Sequence, residues 1–166
     1  SIMISIDKIR KEKDIESISH ESFDAFFFGE TLDDRTSIVE ASIKINPRFN
    51  ILYDKDKYSV IVNGTHYKIF KLHEFFINRK FGRVLIDSTS LGFPELLYLL
   101  DSINRSGIAT EIVVLYVEPL EYSKEKDVGT EIEFMLSDRR HSFVALPAFS
   151  IDNQSSSSDK AVLVTF

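Results

Sequence analysis

The chain lacks cysteine and tryptophan altogether, and its 166 residues include only two methionines, four prolines and six glycines. Without cysteine, disulfides and thiolate metal sites are excluded, and a cytoplasmic location is the natural expectation. No apolar run approaches the roughly 20 residues that cross a bilayer. The charged residues in 1–16 leave no apolar middle for a signal peptide, so we expect no membrane partner.

An excess of basic residues is also missing, because the formal net charge is −6. Binding along a nucleic-acid backbone takes clustered lysine and arginine, so we expect no direct binding of such a backbone. A small anionic ligand stays open, since backbone N–H groups and one or two cations can bind a phosphate locally. The length and the apolar fraction of 43% are typical of one globular domain.

The standard catalytic and cofactor motifs are absent as well. No GxGxxG or GxxxxGKS/T motif follows a predicted strand, and GxSxG does not occur. His20, His66, His73 and His141 show no paired spacing such as HExxH. The sequence therefore predicts no metal site, and we expect no cofactor.

The segment 83–119 has the clearest pattern, and it predicts a strand, a loop, a helix and a second strand. Residues 84–86 form a short run that is apolar on both faces, which is typical of a strand buried in a parallel sheet. Pro94 suits the first turn of the helix, apolar residues then recur at helical spacing, and Gly107 ends it. Residues 112–117 supply the second strand. Such a crossover unit has its ligand crevice beyond the carboxyl ends of the strands.

The pattern before this segment predicts an arm, several strands and two helices. Residues 1–22 indicate an arm or a short helix, and 23–28 indicate a strand. Thr31 is the expected cap of the helix that follows, with Asp34 in its first turn. A strand is expected at 49–53, and residues 58–62 either continue it or form its hairpin partner before the break at 63–64. A second crossover helix is expected at 67–80.

The pattern after this segment is richer in strands. They are predicted at 131–136, 141–146 and 161–166, with a serine-rich loop before the last of them. We expect 161–166 to pair within the sheet, because an unpaired apolar hexamer would be an aggregation hazard. A strand of buried character at the end of the chain indicates that the chain belongs to a longer protein.

Asp87, Ser88, Thr89 and Ser90 form the first candidate site, because they follow a strand directly and precede a helix. One carboxylate, three hydroxyls and backbone N–H groups can hold a phosphate or a ribose. The alternative is that the hydroxyl side chains only cap the helix, which is a common role of serine and threonine.

Gly29, Glu30, Thr31 and Arg35 form the second candidate site, since they follow the strand at 23–28. If the two strands are neighbours, their loops share one crevice, in which Arg35 would contact an anion. The alternative for Arg35 is a surface salt bridge.

Tyr116 and Glu118 lie at the end of the second strand of the central segment. They would add a stacking surface and a carboxylate to the crevice, although a tyrosine there more often completes the core. We predict that the loops after positions 28, 86 and 117 converge on one pocket.

The layout of residues 23–118 resembles that of the CRISPR-associated Rossmann-fold sensor domains of bacterial antiviral systems. In those domains a strand ends in an Asp-x-Thr loop that opens a helix, and a later strand has the form apolar-Tyr-apolar. Asp-Ser-Thr at 87–89 and Leu-Tyr-Val at 115–117 occupy the comparable places here. The glycines and the lysine that follow the threonine in the family are replaced by Ser-Leu-Gly-Phe at 90–93. The resemblance implies a Rossmann-like fold and a nucleotide-like ligand.

Taken together, these patterns predict an N-terminal arm at 1–22 and a Rossmann-like α/β domain at 23–166. The domain is expected to have a mainly parallel sheet, helices on both faces and a β-rich carboxyl-terminal stretch. The expected function is a small-molecule, nucleotide-like binding or sensing module of a larger soluble protein, with a homodimer or a fused effector domain as partner. Two alternatives stay open: a hydrolase or transferase that uses Asp87 and Glu30, and a scaffold domain without a ligand.

Overall fold

The computed structural model describes residues 4–11, 15–107, 111–117 and 159–165. Its strands are Ile4–Lys11 (β1), Ala25–Phe28 (β2), Arg48–Asp54 (β3), Ser59–Val62 (β4), Thr65–Lys68 (β5), Arg83–Asp87 (β6), Glu111–Tyr116 (β7) and Asp159–Thr165 (β8). These eight strands form one sheet in the order β1-β8-β7-β6-β2-β3-β4-β5. The six neighbours from β1 to β3 pair in parallel, and β4 and β5 continue the sheet as antiparallel strands. The predicted α/β class with a mostly parallel sheet is therefore confirmed.

Helices accompany the sheet at Glu16–Ser19 (α1), Asp34–Ser42 (α2), His73–Phe76 (α3) and Phe93–Ser106 (α4). The prediction for α4 is confirmed at both ends. Pro94 lies in its first turn, where a missing N–H has no consequence. Gly107 ends it with a φ of 64°, a left-handed conformation that favours glycine.

Each face of the sheet has its own hydrophobic core, because consecutive residues of a strand point to opposite faces. Phe27 belongs to a cluster with Phe76 of α3 and Leu97 of α4. Its neighbour Phe26 belongs to a second cluster that includes Val39 of α2. Helices therefore pack against both faces, and both phenylalanines are fully buried.

Two predicted elements differ in the structure. Within 1–22, which we interpreted as an arm or short helix, residues 4–11 form the edge strand β1 paired with β8, and α1 is the helix among the described residues of this segment. The crossover helix expected at 67–80 is replaced by the end of β5, a 3₁₀ turn at Ile69–Lys71 and the short α3. The reason is the β4–β5 hairpin, whose ladder uses residues up to Lys68.

The carboxyl-terminal strand is confirmed, since β8 pairs with β7 on one side and with β1 on the other. This position leaves β8 with two neighbours and relieves the aggregation hazard of an unpaired apolar strand. The strands predicted at 131–136 and 141–146 lie outside the described residues.

Candidate functional site

The sheet changes its winding direction between β2 and β6, which are neighbouring parallel strands. From β2 the chain passes through α2 to β3, and from β6 it passes through α4 to β7 on the opposite side. The two helices pack on different faces of the sheet. In open α/β sheets, the carboxyl ends of two strands that diverge in this way are the usual place for a ligand crevice.

In this protein the crevice between β2 and β6 is filled by the two loops themselves. A Cβ atom added to Gly29 would lie 2.2 Å from the backbone oxygen of Ser90, so only glycine fits. The N–H of Gly29 also donates a hydrogen bond to Oγ of Ser90 at 2.8 Å. The loops after β2 and β6 therefore touch each other at Gly29 and Ser90, and their convergence with the loop after position 117 on one pocket stays a prediction.

Asp87 stabilises this contact by hydrogen bonds to the loop after β6. Its carboxylate accepts hydrogen bonds from the N–H of Thr89 at 2.9 Å and from Oγ of Ser90 at 2.7 Å. Burial raises the pKa of Asp87, and the hydrogen bonds from Ser90 and Thr89 partly oppose that rise. Because the residue is only 1% exposed, its carboxylate binds groups of the loop and is hardly accessible to solvent.

The remaining hydroxyl groups of the loop are bonded to β7 and the residue after it. Oγ of Ser88 donates to the carbonyl of Leu115 at 2.7 Å. Oγ1 of Thr89 accepts a hydrogen bond from the N–H of Val117 at 3.0 Å. The loop therefore joins the ends of three adjacent strands, and its hydroxyl groups already have partners inside the protein.

The alternative that these hydroxyls cap α4 is wrong. The cap residue of α4 is Gly92, and no side chain caps its N-terminus by a hydrogen bond. Ser88, Thr89 and Ser90 instead connect strand ends, as their bonds to β7 and to Gly29 show.

The predicted cap of α2 is also wrong. Asp33 caps the helix, and it forms a capping box with Thr36. Thr31 lies before the helix, where its hydroxyl donates to Oε2 of Glu40 at 2.6 Å. An aspartate two residues later competes for the same role, and its carboxylate is the stronger acceptor for the orphan N–H groups.

An open cleft of about 180 Å³ lies beside this loop contact, on the β3 side. It exists because β2 ends at Phe28, which pairs with Asn50, whereas β3 continues to Asp54. The cleft is lined by side chains and backbone from β3, from the loop after β2 and from the start of α4: Ile51, Leu52, Tyr53, Glu30, Leu32, Ser90, Gly92 and Glu95.

Two carboxylates dominate the electrostatics of the cleft. Glu95 folds back over Gly92, where an added Cβ would lie 2.3 Å from its Oε2. Burial raises the pKa of Glu95, hydrogen bonds from the backbone of Glu95 and Tyr53 oppose the rise, and the negative charge of Glu30 adds to it. The cleft therefore offers acceptors of hydrogen bonds and negative charge. None of the described residues that line the cleft is a histidine.

Among the predicted site residues whose side chains the structure describes, Glu30 and Ser90 line the cleft. Tyr116 is partly buried and packs against the core. Arg35 lies in the first turn of α2, but its side chain is outside the described part of the structure. Glu118 also lies outside the described residues. Asp87, Ser88 and Thr89 belong to the loop contact, and Thr31 belongs to the start of α2.

Sequence reasoning missed the contributions of Leu32, Tyr53 and Glu95 to the cleft. The position of Glu95 could have been predicted, because an acidic residue directly after Pro94, in the first turn of a helix, interacts with the helix N-terminus. No local pattern predicts the positions of Leu32 and Tyr53 at the cleft, since these depend on how far β3 extends past β2.

Within the described side chains, no group of three or more histidine, aspartate or glutamate residues could hold a metal ion. In the same part of the chain, no helix has the length and apolar character needed to span a bilayer. No protein-family model, curated protein or solved structure matches this chain.

Proposed function

We propose that this chain is a small-molecule-binding module with a Rossmann-like arrangement, and that its ligand occupies the cleft between β3 and the start of α4. The observation that carries the proposal is the cleft itself, which lies at the carboxyl edge of a parallel sheet beside a change of winding direction. The cleft adjoins the position where open α/β sheets usually bind ligands, which the loops after β2 and β6 occupy in this protein.

The chemistry of the cleft favours a ligand that donates hydrogen bonds. Glu30 and Glu95 supply acceptors and negative charge, and Ile51, Leu52 and Tyr53 supply an apolar wall. Its volume of about 180 Å³ is below the roughly 300–1,000 Å³ of sites for drug-sized ligands, so only a small ligand or the head of a larger one fits.

A nucleoside fits this description better through its base than through a phosphate. Exocyclic amino and ring N–H groups of a base donate hydrogen bonds to carboxylates. A phosphate would meet like charge at Glu30 and Glu95, and the hydroxyls of the Asp87 to Ser90 loop are already bonded to protein groups. A nucleotide-like ligand with its base in the cleft and its phosphate outside is therefore the class we propose to be sensed.

The enzymatic alternative has less support. It would need Asp87 and Glu30 to act on one ligand, but Asp87 is buried and does not line the cleft. A general acid or base must reach the reacting group directly or through one water molecule.

Thermal melting with nucleosides tests the proposal. A ligand that binds only the native state stabilises it by about 2.7 kcal/mol at 100 times Kd, so the Tm must rise with ligand concentration. We expect nucleosides with an amino group on the base to raise the Tm of the wild type. The rise should be lost in Glu95→Gln and kept in Glu74→Gln, an exposed glutamate on α3, each measured against its own ligand-free melt. Absence of any shift with millimolar nucleosides or nucleotides would exclude this function.

A further inference from the structure

Tyr58 is an exposed aromatic residue in a backbone conformation that disfavours it. Its φ is 48°, in the left-handed region, and 54% of the residue is exposed. A bulky residue there is a conformational outlier, whereas glycine and asparagine adopt such angles readily. Burial does not explain why a tyrosine occupies this position, and outliers of this kind often mark functional surfaces.

A second exposed aromatic residue lies close to Tyr58 in the fold. The carbonyl of Tyr58 accepts a hydrogen bond from the N–H of Ile69 at 3.0 Å. The next residue, Phe70, is 61% exposed, although Ile69 itself is buried. Single exposed apolar residues are ordinary, but this hydrogen bond brings the backbones of two exposed aromatic residues close together.

Four lysines are neighbours of these aromatic residues in sequence or in strand pairing, and Nζ of one of them, Lys68, donates to the carbonyl of Lys57 at 2.9 Å. Lys55 and Lys57 lie in the turn before Tyr58, Lys68 pairs with Ser59, and Lys71 follows Phe70; all four lysines are exposed. The stretch from 54 to 71 contains four lysines and two aspartates, so it is locally basic in a chain of net charge −6.

We propose that this aromatic and basic patch binds single-stranded nucleic acid. Flat aromatic faces stack on bases of any sequence, and lysines contact the phosphates between them. The prediction that the chain does not bind nucleic acid was based on the net charge of the whole chain. A short single-stranded RNA needs only a local group of aromatic and basic side chains. A membrane surface fits less well, because Tyr58 lies in a turn and Phe70 lies in a three-residue 3₁₀ helix, so neither belongs to a long amphipathic helix.

The test is fluorescence anisotropy with a labelled 12-nucleotide single-stranded RNA of mixed sequence and the full chain. We expect binding at 20 mM salt that weakens as salt increases, with a log–log slope of up to about −3 for four lysine contacts. Phe70→Ala and Tyr58→Gly should each weaken binding by about 5- to 150-fold, the loss of one stacked base. Lys71→Gln should reduce the slope by about 0.7.

Melting curves separate a binding role from a structural one. Tyr58→Gly should have a Tm equal to or above that of the wild type, because glycine adopts the left-handed angle without strain. Two matched controls on the other side of the sheet, Ile38→Ala and Lys44→Gln, replace an exposed apolar residue and an exposed lysine, and they should bind RNA like the wild type.

Three results would overturn the proposal. The first is no binding of the RNA at 20 mM salt. The second is that the Tyr58 and Phe70 variants bind the RNA as tightly as the wild type. The third is that phosphatidylserine vesicles bind the wild type and lose affinity for these variants to the same extent as the RNA does. If RNA binding depends on Glu95 and not on Tyr58 and Phe70, the RNA binds in the cleft, and this result would also reject the patch.

Discussion

Replacement of Gly29 by alanine adds one methyl group where the loops after β2 and β6 touch. The added Cβ would lie 2.2 Å from the backbone oxygen of Ser90, 2.7 Å from its carbonyl carbon and 3.0 Å from Cα of Leu91. All three neighbours are backbone atoms, so no side-chain rotation relieves the overlap. One loop must move away from the other.

The expected cost follows from this geometry. Overpacking of a tight contact costs about 1–3 kcal/mol. If the movement also separates the N–H of Gly29 from Oγ of Ser90, an unsatisfied buried donor adds about 1–3 kcal/mol. With both contributions, we expect Gly29→Ala to lower the free energy of unfolding by about 2–6 kcal/mol, a large part of the roughly 5–15 kcal/mol of a typical domain.

Urea unfolding followed by circular dichroism measures this loss, and two other glycines provide controls. Gly92→Ala should cost much less, because the nearest obstacle is the flexible carboxylate of Glu95. Gly107→Ala meets open space but has a φ of 64°, so its cost is conformational, about 1–2 kcal/mol. If Gly29→Ala loses less than about 0.5 kcal/mol, or no more than Gly92→Ala, the loops are not in contact as described.

Three further predictions concern the cap, the loop and the cleft. Asp33→Ala removes the acceptor for the N–H of Thr36 and should lower the free energy of unfolding by about 0.5–2 kcal/mol in urea melts; an unchanged midpoint would contradict the cap. Ser90→Ala removes a donor to the buried Asp87 and should cost about 1–3 kcal/mol, with Ser37→Ala, an exposed serine, as a neutral control. Burial raises the pKa of Glu95 above its ordinary 4.5, so the folded state holds this proton more tightly than the unfolded chain. The stability of the wild type relative to Glu95→Gln should therefore fall as pH rises from about 4.5 through the raised pKa, and a difference that grows with pH would refute this sign.

Local patterns in the sequence were sufficient for the central elements. The apolar run before Asp87 predicted β6, and the spacing between Pro94 and Gly107 predicted α4, because each signal depends only on residues within that element. The same reasoning predicted that β8 pairs, since an apolar strand needs neighbours. The longer helix expected at 67–80 was wrong because the hairpin with β4 competed for Lys68 and the residues before it.

The positions of the functional groups were decided by tertiary structure. Ser90 bonds to Gly29, 61 residues away, and Thr89 bonds to Val117, 28 residues away, and no local pattern specifies such partners. The cleft likewise depends on register, because it opens where β3 continues after its last pair with Phe28. The amino-acid sequence by itself determined the central elements β6, α4 and β7 and the polar groups that follow their strands, whereas strand pairing decided β1 and β5. Only packing between distant segments decided that the loop hydroxyls are bonded internally and that Glu30 and Glu95 face the open space, because hydrogen-bond partners are set by the register of strands.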